Sequence, residues 1–371
     1  MTSTIAILGA SGLVGRSIIN ELVSSGEWRL VLIGRDADRL NAAARTVRDA
    51  GSTAVTLATG ENRDWGAVLD RAPRPDLVLN LVGPASETAP RVRSWCLRNG
   101  VHYCDVANEL GAVQGSLASE DDARRVGVSV VTGAGFGVVA TEALVLALRG
   151  DRPPAQSARV VAMPGMSSRG RNVAASAVEV LTAGGRAYRR GVLAATRPGA
   201  AFWRIPTPNG TSMGGIGVAV GDLESARRAS GAEDVDAFTT EIPTNAALRA
   251  VLPAVAKAAR LRGVRRALEY GVTLTDSPGP AADRDQDYVS LSYAQLDWAN
   301  GETRAGWLQM GDGYAFSGKV GAAVVGAQLA GAVPPGAHTP GAVLGSQVAY
   351  HAGATLVIDG STTTAARTAT K

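Results

Sequence analysis

The chain has 371 residues, of which 46% are hydrophobic and 19% are charged, a balance that excludes disorder or a coiled coil as its main state. Its length is enough for two domains with cores of ordinary size. The net charge of +4 comes from scattered residues rather than from a basic patch, so a nucleic acid partner is not expected.

A buried strand followed by a glycine turn opens the chain. Residues 4–8 form an apolar run, which predicts a strand covered on both faces in a parallel sheet. The next residues have the spacing GxxGxxG and lead into an apolar helical stripe. This order is typical of a Rossmann dinucleotide site, in which free amides receive a pyrophosphate, although a tight turn without a ligand is the alternative. The predicted cofactor-binding residues of the turn are Gly9, Ser11, Gly12, Leu13, Val14 and Gly15.

The second predicted strand ends at Arg35, twenty positions after the last glycine of the turn. An NAD-specific site places an acid near this point to bind the ribose hydroxyls. Arg35 instead predicts a contact with the 2′-phosphate of NADP, with Ser11 and Arg39 as candidate helpers. Asp36 follows at once and offers the acid of an NAD site, but its more ordinary role is to cap the helix predicted over 38–50. NADP (NADPH) is therefore the expected cofactor, with NAD as the alternative.

A third strand is predicted over 54–58 and a fourth over 76–82. The carboxyl end of the fourth strand faces the cofactor crevice in a doubly wound sheet. Since proline has no N–H and restricts the residue before it, the turn after this strand is predicted to hold backbone groups near the nicotinamide ribose. Asn80 can bind the cofactor there or simply close the strand end by hydrogen bonds. The predicted cofactor-binding residues at this strand end are Asn80, Val82, Gly83 and Pro84.

Polar side chains collect at the fifth predicted strand, residues 101–105. Hydride transfer needs a protein group that protonates or polarises the other end of the reacting bond. His102 and Tyr103 lie on alternate faces of the strand, so only one can point into the crevice. Tyr103 is preferred, although a tyrosine on a buried strand is more often a core residue. The candidate catalytic residues are Tyr103, Asp105, Glu109 and Tyr314.

A sixth strand over 127–131 and an apolar helix over 139–148 complete the Rossmann pattern. Further along, alternating segments flank Asn300-Gly301, a dipeptide that favours a type I′ hairpin turn. Sheets built from such hairpins commonly pair between subunits, so a homodimer is one expectation. Arg169 and Arg171 can face an anionic substrate or form a solvated basic loop.

The two cysteines, Cys96 and Cys104, belong to no Cys-x-x-Cys or Cys/His cluster, so neither a disulfide nor a metal site is predicted. The sequence has no apolar run of about eighteen residues and no export signal, so no membrane partner and a cytoplasmic location are expected. No tyrosine has a lysine four positions on, which argues against a carbonyl reductase that uses a Tyr-x-x-x-Lys pair.

Several of these segments together resemble the saccharopine dehydrogenase-like NADP-binding family, and within it the branch that includes trans-acting enoyl reductases of polyketide and lipid assembly. The middle of the chain, from about 190 to 280, matches nothing in that family. The family's usual Gly-Glu pair is Asn108-Glu109 here, so substrate contacts in this loop are expected to differ. The likeness rests on ILGASGLVG (7–15), LVGP (81–84), GVHYCD (100–105) with Asn108-Glu109, GAGF (133–136), GDGY (311–314) and Thr339-Pro340.

The resemblance implies an α/β protein with an N-terminal Rossmann doubly wound parallel sheet and an α+β substrate domain on a mixed or antiparallel sheet. The expected bounds are 1–130 for the Rossmann domain, 131–335 for the substrate and dimerisation domain, and 336–360 for a segment that returns to the first domain. The tail 361–371 is rich in Thr and Ala and is expected to be frayed.

Three functions follow from the sequence and the resemblance. The first is NADPH-dependent reduction of the C=C bond of an enoyl biosynthetic intermediate, held as a small thioester or on a carrier. The second is reduction of a C=N bond in an amino-acid-derived substrate, as in saccharopine reductase. The third is a non-catalytic NADP(H) sensor. Enoyl reduction is the favoured interpretation.

Overall fold

The computed structural model describes residues 2–26, 28–49, 54–60, 65–165, 184–242, 244–259, 261, 263–264, 267, 289–358 and 361–363. The chain divides into two compact units. The first unit contains Met1–Phe136 and Tyr314–Leu344, and the second contains Gly137–Gly313 and Gly345–Lys371.

Helices and strands largely alternate up to α7, and several strands follow one another after that. The elements up to residue 163 are β1 (Thr4–Leu8), α1 (Leu13–Ser25), β2 (Arg29–Gly34), α2 (Ala37–Asp49), β3 (Ala54–Thr59), α3 (Trp65–Arg71), β4 (Leu77–Asn80), α4 (Ala85–Asn99), β5 (His102–Asp105), α5 (Leu110–Leu117), α6 (Glu120–Val126), β6 (Ser129–Val131), α7 (Phe136–Arg149) and β7 (Ser157–Met163). The later elements are β8 (Gly185–Arg189), β9 (Val192–Thr196), β10 (Phe202–Pro206), β11 (Ser212–Gly217), α8 (Asp222–Ser230), β12 (Asp234–Thr239), α9 (Ala246–Ala258), β13 (Ser290–Asp297), β14 (Thr303–Met310), α10 (Gly313–Leu329), β15 (Gly336–His338), α11 (Pro340–Leu344), α12 (Gln347–His351), β16 (Thr355–Ile358) and β17 (Ser361–Thr363).

A seven-stranded parallel sheet forms the centre of the first unit, with the order β15-β6-β5-β4-β1-β2-β3. Every residue of β1 and β4 is buried, as the continuous apolar runs predict for strands covered on both faces. The strand order reverses between β1 and β4, so the crevice at their carboxyl ends is the place where this fold binds a ligand. The predicted doubly wound Rossmann sheet is confirmed.

The second unit contains a mixed sheet, which confirms the other half of the predicted fold class. Its order is β10-β11-β12-β7-β13-β14-β16-β17, and β8 joins β12 to β9. β12 and β7 are parallel, whereas β13 and β14 form the predicted antiparallel hairpin around Gly301. The hairpin lies between β7 and β16, so most of it is interior to the sheet.

The ends of the chain differ from the sequence-based bounds. β15 adds to the first sheet beside β6, whereas β16 pairs with β14 in the second sheet, so only part of 336–360 returns to the first unit. Most of α10 also belongs to the first unit, although it falls within the predicted 131–335 domain. Residues 361–363, at the start of the predicted tail, form β17 against β16.

The predicted basic loop lies outside the described residues, whereas the expectations about membrane helices, metal sites and cysteines concern residues that the structure describes. Arg169 and Arg171 are among the residues that the structure does not describe. Within the described ranges, no helix has the length and apolar character needed to cross a membrane, and no group of His, Cys, Asp and Glu is placed to hold a metal ion. Cys96 and Cys104 are free thiols, and burial raises the pKa of both.

A buried aspartate lies in the core of the second unit. Asp222, in the first turn of α8, accepts a hydrogen bond on Oδ1 from the Thr141 hydroxyl of α7 at 2.9 Å. Its exposed fraction is 3%, and burial raises its pKa from 3.8 to about 6. Ionisation of Asp222 therefore opposes folding, because the charge is better solvated in the unfolded chain.

We expect Asp222→Asn to stabilise the protein above pH 6, since the amide oxygen keeps the Thr141 bond and removes the buried charge. The cost of ionisation is absent below the unfolded pKa, grows as the pH rises towards the folded pKa, and is constant above it. The gain should reach up to about 3 kcal/mol at pH 7.5 and fall to about 0.5 kcal/mol at pH 4. Urea unfolding at both pH values measures it, with the exposed Asp151→Asn as the matched control. An equal effect at both pH values would contradict the argument.

Candidate active site

The glycine turn after β1 lies directly against the loop that follows β4. Gly9 has φ +83°, and its N–H donates to the Ile33 carbonyl at 2.9 Å. A Cβ added at Gly9 would stand 2.9 Å from the Leu81 carbonyl oxygen. Only glycine satisfies both the left-handed backbone and this close approach. The turn is therefore held between β2 and the end of β4.

Helix α1 packs onto the same turn through backbone contacts. A Cβ at Gly15 would lie 2.6 Å from the Gly9 oxygen and 2.8 Å from the Ala10 oxygen, so no larger residue fits there. Gly12 is the N-cap of α1, with no side-chain hydrogen bond that caps it. Gly12 is half-buried and Leu13 is exposed.

These features match what a dinucleotide pyrophosphate requires. The amides at a helix start have no partners within the helix, and the helix dipole adds positive potential there. A Cβ at Gly12 would meet only the Gly9 oxygen within 4 Å, so the surface above this residue is open. The residues of the turn therefore fit a bound diphosphate.

The acid that could have bound the ribose is used as a helix cap. Asp36 Oδ1 accepts hydrogen bonds from the backbone N–H groups of Asp38 and Arg39, both at 3.0 Å. Arg35, immediately after β2, is exposed. Arg16, which the sequence reasoning did not single out, donates from its guanidinium to the Ser11 carbonyl at 3.2 and 3.3 Å. Its position in the first turn after the glycines was the signal that could have identified it.

Asn80 closes the loop after β4. It is buried, its Oδ1 accepts from the Val82 N–H at 3.3 Å, and its Nδ2 donates to the Thr88 hydroxyl at 3.2 Å. Thr88 in turn donates to the Val82 carbonyl at 2.6 Å. Both backbone groups of Val82 are thus tied to the protein, and Asn80 has the hydrogen-bonding role that was the alternative to cofactor contact. Val82, Gly83 and Pro84 remain half-buried.

Tyr103 lies in the core of the first unit. Its side chain is fully buried beside Val78 and Trp95, and its hydroxyl accepts from Asn80 Nδ2 at 3.3 Å. Burial and the nearby charge of Asp105 raise its pKa well above the ordinary value. The structure therefore favours the core role for Tyr103 over the predicted catalytic role, because a proton donor must reach the substrate.

Asp105 holds two loops through a single oxygen. Its Oδ1 accepts from the Ala107 N–H at 3.0 Å, the Gly133 N–H at 3.0 Å and the Thr132 hydroxyl at 2.8 Å. Its Oδ2 is buried and accepts no hydrogen bond within 3.5 Å, although the Tyr103 hydroxyl lies near enough to the carboxyl to favour its ionised form. Burial raises the pKa of this carboxyl. Thr132 and Gly133 were not predicted as site residues, although Gly133 begins the GAGF segment (133–136) that carries part of the family resemblance.

Glu109 joins the loop after β5 to the start of α4. Its Oε1 accepts from the Ala85 N–H at 3.2 Å, and its Oε2 accepts from the Asn108 N–H at 3.1 Å. Asn108 Oδ1 is a buried atom without a hydrogen-bond partner. Glu109 therefore also has a structural role that the sequence did not reveal.

Tyr314 and His102 lie at opposite edges of the first sheet. Tyr314 is in the first turn of α10, one turn before Ser317, whose hydroxyl accepts from the Phe136 N–H at 3.0 Å. That contact places this end of α10 beside the loop after β6. His102 begins β5 and is therefore at the opposite edge of the sheet, where its Nδ1 accepts from the Ser129 N–H at 3.0 Å.

This chain is similar to a known domain family and to several solved structures. Residues 5–131 match the model of the saccharopine dehydrogenase NADP binding domain. Saccharopine dehydrogenase (L-Glu forming) from Saccharomyces cerevisiae has a similar structure, with a TM-score of 0.57 and 14% identity over 94% of this chain and 96% of that one. A dehydrogenase from Chromobacterium violaceum gives a TM-score of 0.43 and 11% identity over 95% and 93%. GenD2 from gentamicin A biosynthesis, solved with NAD, gives 0.43 and 13% over 95% and 94%.

No curated protein matches the sequence. At 14% identity the yeast enzyme shows a shared fold, while the domain match identifies the nucleotide that the first unit binds. Together these findings indicate an NADP-dependent oxidoreductase.

We expect Gly12→Ala to weaken NADPH binding at least about tenfold, because its Cβ would occupy the surface that a pyrophosphate must approach. The fold should be retained, since φ is −74° and the added Cβ would meet only the Gly9 oxygen, at 3.2 Å, which requires a shift of a few tenths of an ångström. Gly111→Ala, in the first turn of α5 with no atom within 4 Å of its added Cβ, is the matched control. NADPH fluorescence titration measures both, and unchanged affinity in Gly12→Ala would contradict the assignment of the turn.

Proposed function

We propose that this protein, which carries a saccharopine dehydrogenase NADP-binding domain over residues 5–131, uses NADPH to reduce the C=C bond of an enoyl thioester or carrier-bound intermediate. The observation that supports the cofactor is the open glycine turn at the start of α1. The resemblance of several separate segments to trans-acting enoyl reductases supports the enoyl substrate.

Each part of NADPH is assigned to the residues that follow one of the strands. The amides at the start of α1 bind the diphosphate, and Arg35 binds the 2′-phosphate because Asp36 is committed to capping α2. The loops after β4, β5 and β6 surround the nicotinamide half. When bound, NADPH supplies the hydride, and the protein orients the acceptor and supplies a proton.

Tyr314 is the proposed proton donor. The exposed fractions of the four catalytic candidates are 0% for Tyr103, 1% for Asp105, 6% for Glu109 and 9% for Tyr314. Asp105 and Glu109 also use their carboxylates to hold loops. Tyr314 is the least enclosed of the four, which supports it as the proton donor.

Reduction of a C=N bond is the second candidate function. It is supported by the fold shared with a saccharopine dehydrogenase over 94% of this chain. In this alternative the substrate is an imine derived from an amino acid, and the same nucleotide site serves it. A sensor that binds NADP(H) without turnover is the third.

Two further proposals concern partners. A carrier-bound substrate would present an anionic phosphopantetheine, and Arg169 and Arg171 are the proposed contacts, on sequence grounds alone. A homodimer also stays a proposal. Since most of the β13–β14 hairpin is paired on both sides within its sheet, strand pairing between subunits would use another edge.

We expect Arg35→Ala to weaken NADPH binding by about 1–3 kcal/mol and to leave NADH binding unchanged, because only NADPH has the 2′-phosphate. Paired titrations with the two nucleotides measure the selectivity. Arg48→Ala, in the last turn of α2, removes an exposed arginine elsewhere and is the control. If Arg35→Ala prefers NADPH over NADH as strongly as the wild type does, another residue binds the 2′-phosphate.

We expect NADPH oxidation, followed at 340 nm, with an α,β-unsaturated thioester and not with an oxo acid plus an amino acid. The opposite result would replace enoyl reduction by imine reduction. Turnover of neither set, together with tight NADPH binding, would favour the sensor.

With the active substrate, Tyr314→Phe should lower kcat about 100-fold or more at unchanged NADPH affinity, and retention of full kcat would remove Tyr314 from the mechanism.

A further inference from the structure

Three loops lie side by side at the carboxyl edge of the first sheet. We name them loop 4 (residues 81–84), loop 5 (residues 106–109) and loop 6 (residues 132–135), after the strands that they follow. Because β4, β5 and β6 are adjacent and parallel, the loops emerge on the same side. They are the part of a Rossmann crevice that receives the nicotinamide half of a dinucleotide.

Asp105 bonds directly to two of these loops. Its Oδ1 is the common acceptor for the N–H of Ala107 in loop 5 and for the hydroxyl of Thr132 and the N–H of Gly133 in loop 6. Its backbone carbonyl also accepts from the Ala134 N–H at 2.8 Å. All three side-chain bonds use the same oxygen, and Oδ2 takes no part in them.

The neighbouring polar residues extend this arrangement to loop 4. Asn80 stands opposite Asp105 in the β4–β5 register and binds the Val82 N–H of loop 4. Glu109 of loop 5 accepts from the N–H of Ala85, the residue immediately after loop 4. Each of the three loops is thus bound by a buried side chain from the last residue of a strand: Asn80 of β4 binds loop 4, and Asp105 of β5 binds loops 5 and 6.

We propose that Asp105 is a positioning residue, which through Oδ1 holds loops 5 and 6 in the arrangement that binds the nicotinamide half of NADPH. The inference rests on the proposed nucleotide function and differs from a proton-transfer role for this carboxylate. With an exposed fraction of 1%, Asp105 has no surface on which a substrate could be protonated. Burying a carboxylate costs stability, and the hydrogen bonds that this carboxylate accepts from loops 5 and 6 explain why it stands there.

Because all three side-chain hydrogen bonds use Oδ1 of Asp105, a nearly isosteric substitution tests the proposal. In Asp105→Asn, the amide oxygen can replace Oδ1 and accept the same three bonds. In Asp105→Ala, all three donors lose their partner. Two ligands then separate the ends of the dinucleotide site: NADPH spans the whole crevice, whereas 2′,5′-ADP has the adenine half and the 2′-phosphate but lacks nicotinamide.

Calorimetric titration of both ligands against the three proteins is the experiment. We expect Asp105→Ala to bind NADPH at least about tenfold more weakly and to bind 2′,5′-ADP as the wild type does, with Asp105→Asn within about threefold of the wild type for both. Should Asp105→Ala fold poorly, Thr132→Val removes one of the three bonds at nearly constant shape and should weaken NADPH selectively by a smaller factor.

Three results would overturn the proposal. Equal loss in Asp105→Asn and Asp105→Ala would show that the charge or Oδ2 matters rather than the Oδ1 bonds. Equal loss of both ligands in Asp105→Ala and in Thr132→Val would show a general effect on the fold. Unchanged NADPH binding in both variants would show that the loops do not position nicotinamide. If the wild type binds neither ligand, the proposed nucleotide function itself fails, which is a distinguishable result.

Discussion

At the first turn of the chain, backbone lies against backbone with no side chain between. Gly9 approaches the Leu81 carbonyl, and Gly15 of α1 approaches the carbonyls of Gly9 and Ala10, all at distances that a Cβ would not allow. This contact brings the start of α1 and the end of β4 together at the point where the strand order reverses. The crevice exists because these two glycines carry no side chain, and the exposed amides of the helix start follow from the same geometry.

The buried polar side chains of the crevice organise its walls. Asn80, Asp105 and Glu109 each accept hydrogen bonds from backbone N–H groups of the loops at the strand ends. Burying such groups is costly unless they are bonded, and these bonds offset that cost. A dinucleotide needs preformed walls more than it needs reactive groups, because the cofactor itself carries the hydride. The same residue types that suggest acid and base chemistry in a sequence therefore serve here as supports.

Much of the fold could be predicted because it depends on local patterns. The apolar runs of β1 and β4 and the glycine spacing after β1 determine a parallel sheet and a nucleotide turn with little tertiary information. The hairpin around Gly301 was equally readable, since its dipeptide favours one turn type. The strands of the C-terminal segment were not predicted, because β15 and β16 are short and their partners, β6 and β14, are remote in sequence.

The sequence by itself determined the type of the first unit and its cofactor class, and it predicted which residues form the glycine turn, because each depends on backbone freedom and on neighbours within a few positions. Only the tertiary structure decided which polar groups are available for chemistry. Alternation along β5 shows that Tyr103 and Asp105 share a face, but it does not show that Tyr103 is enclosed or that Thr132 and Gly133, about thirty residues later, occupy the Asp105 oxygen. Burial and hydrogen-bond partners depend on strands that meet across the sheet, and a single linear pattern does not contain that information.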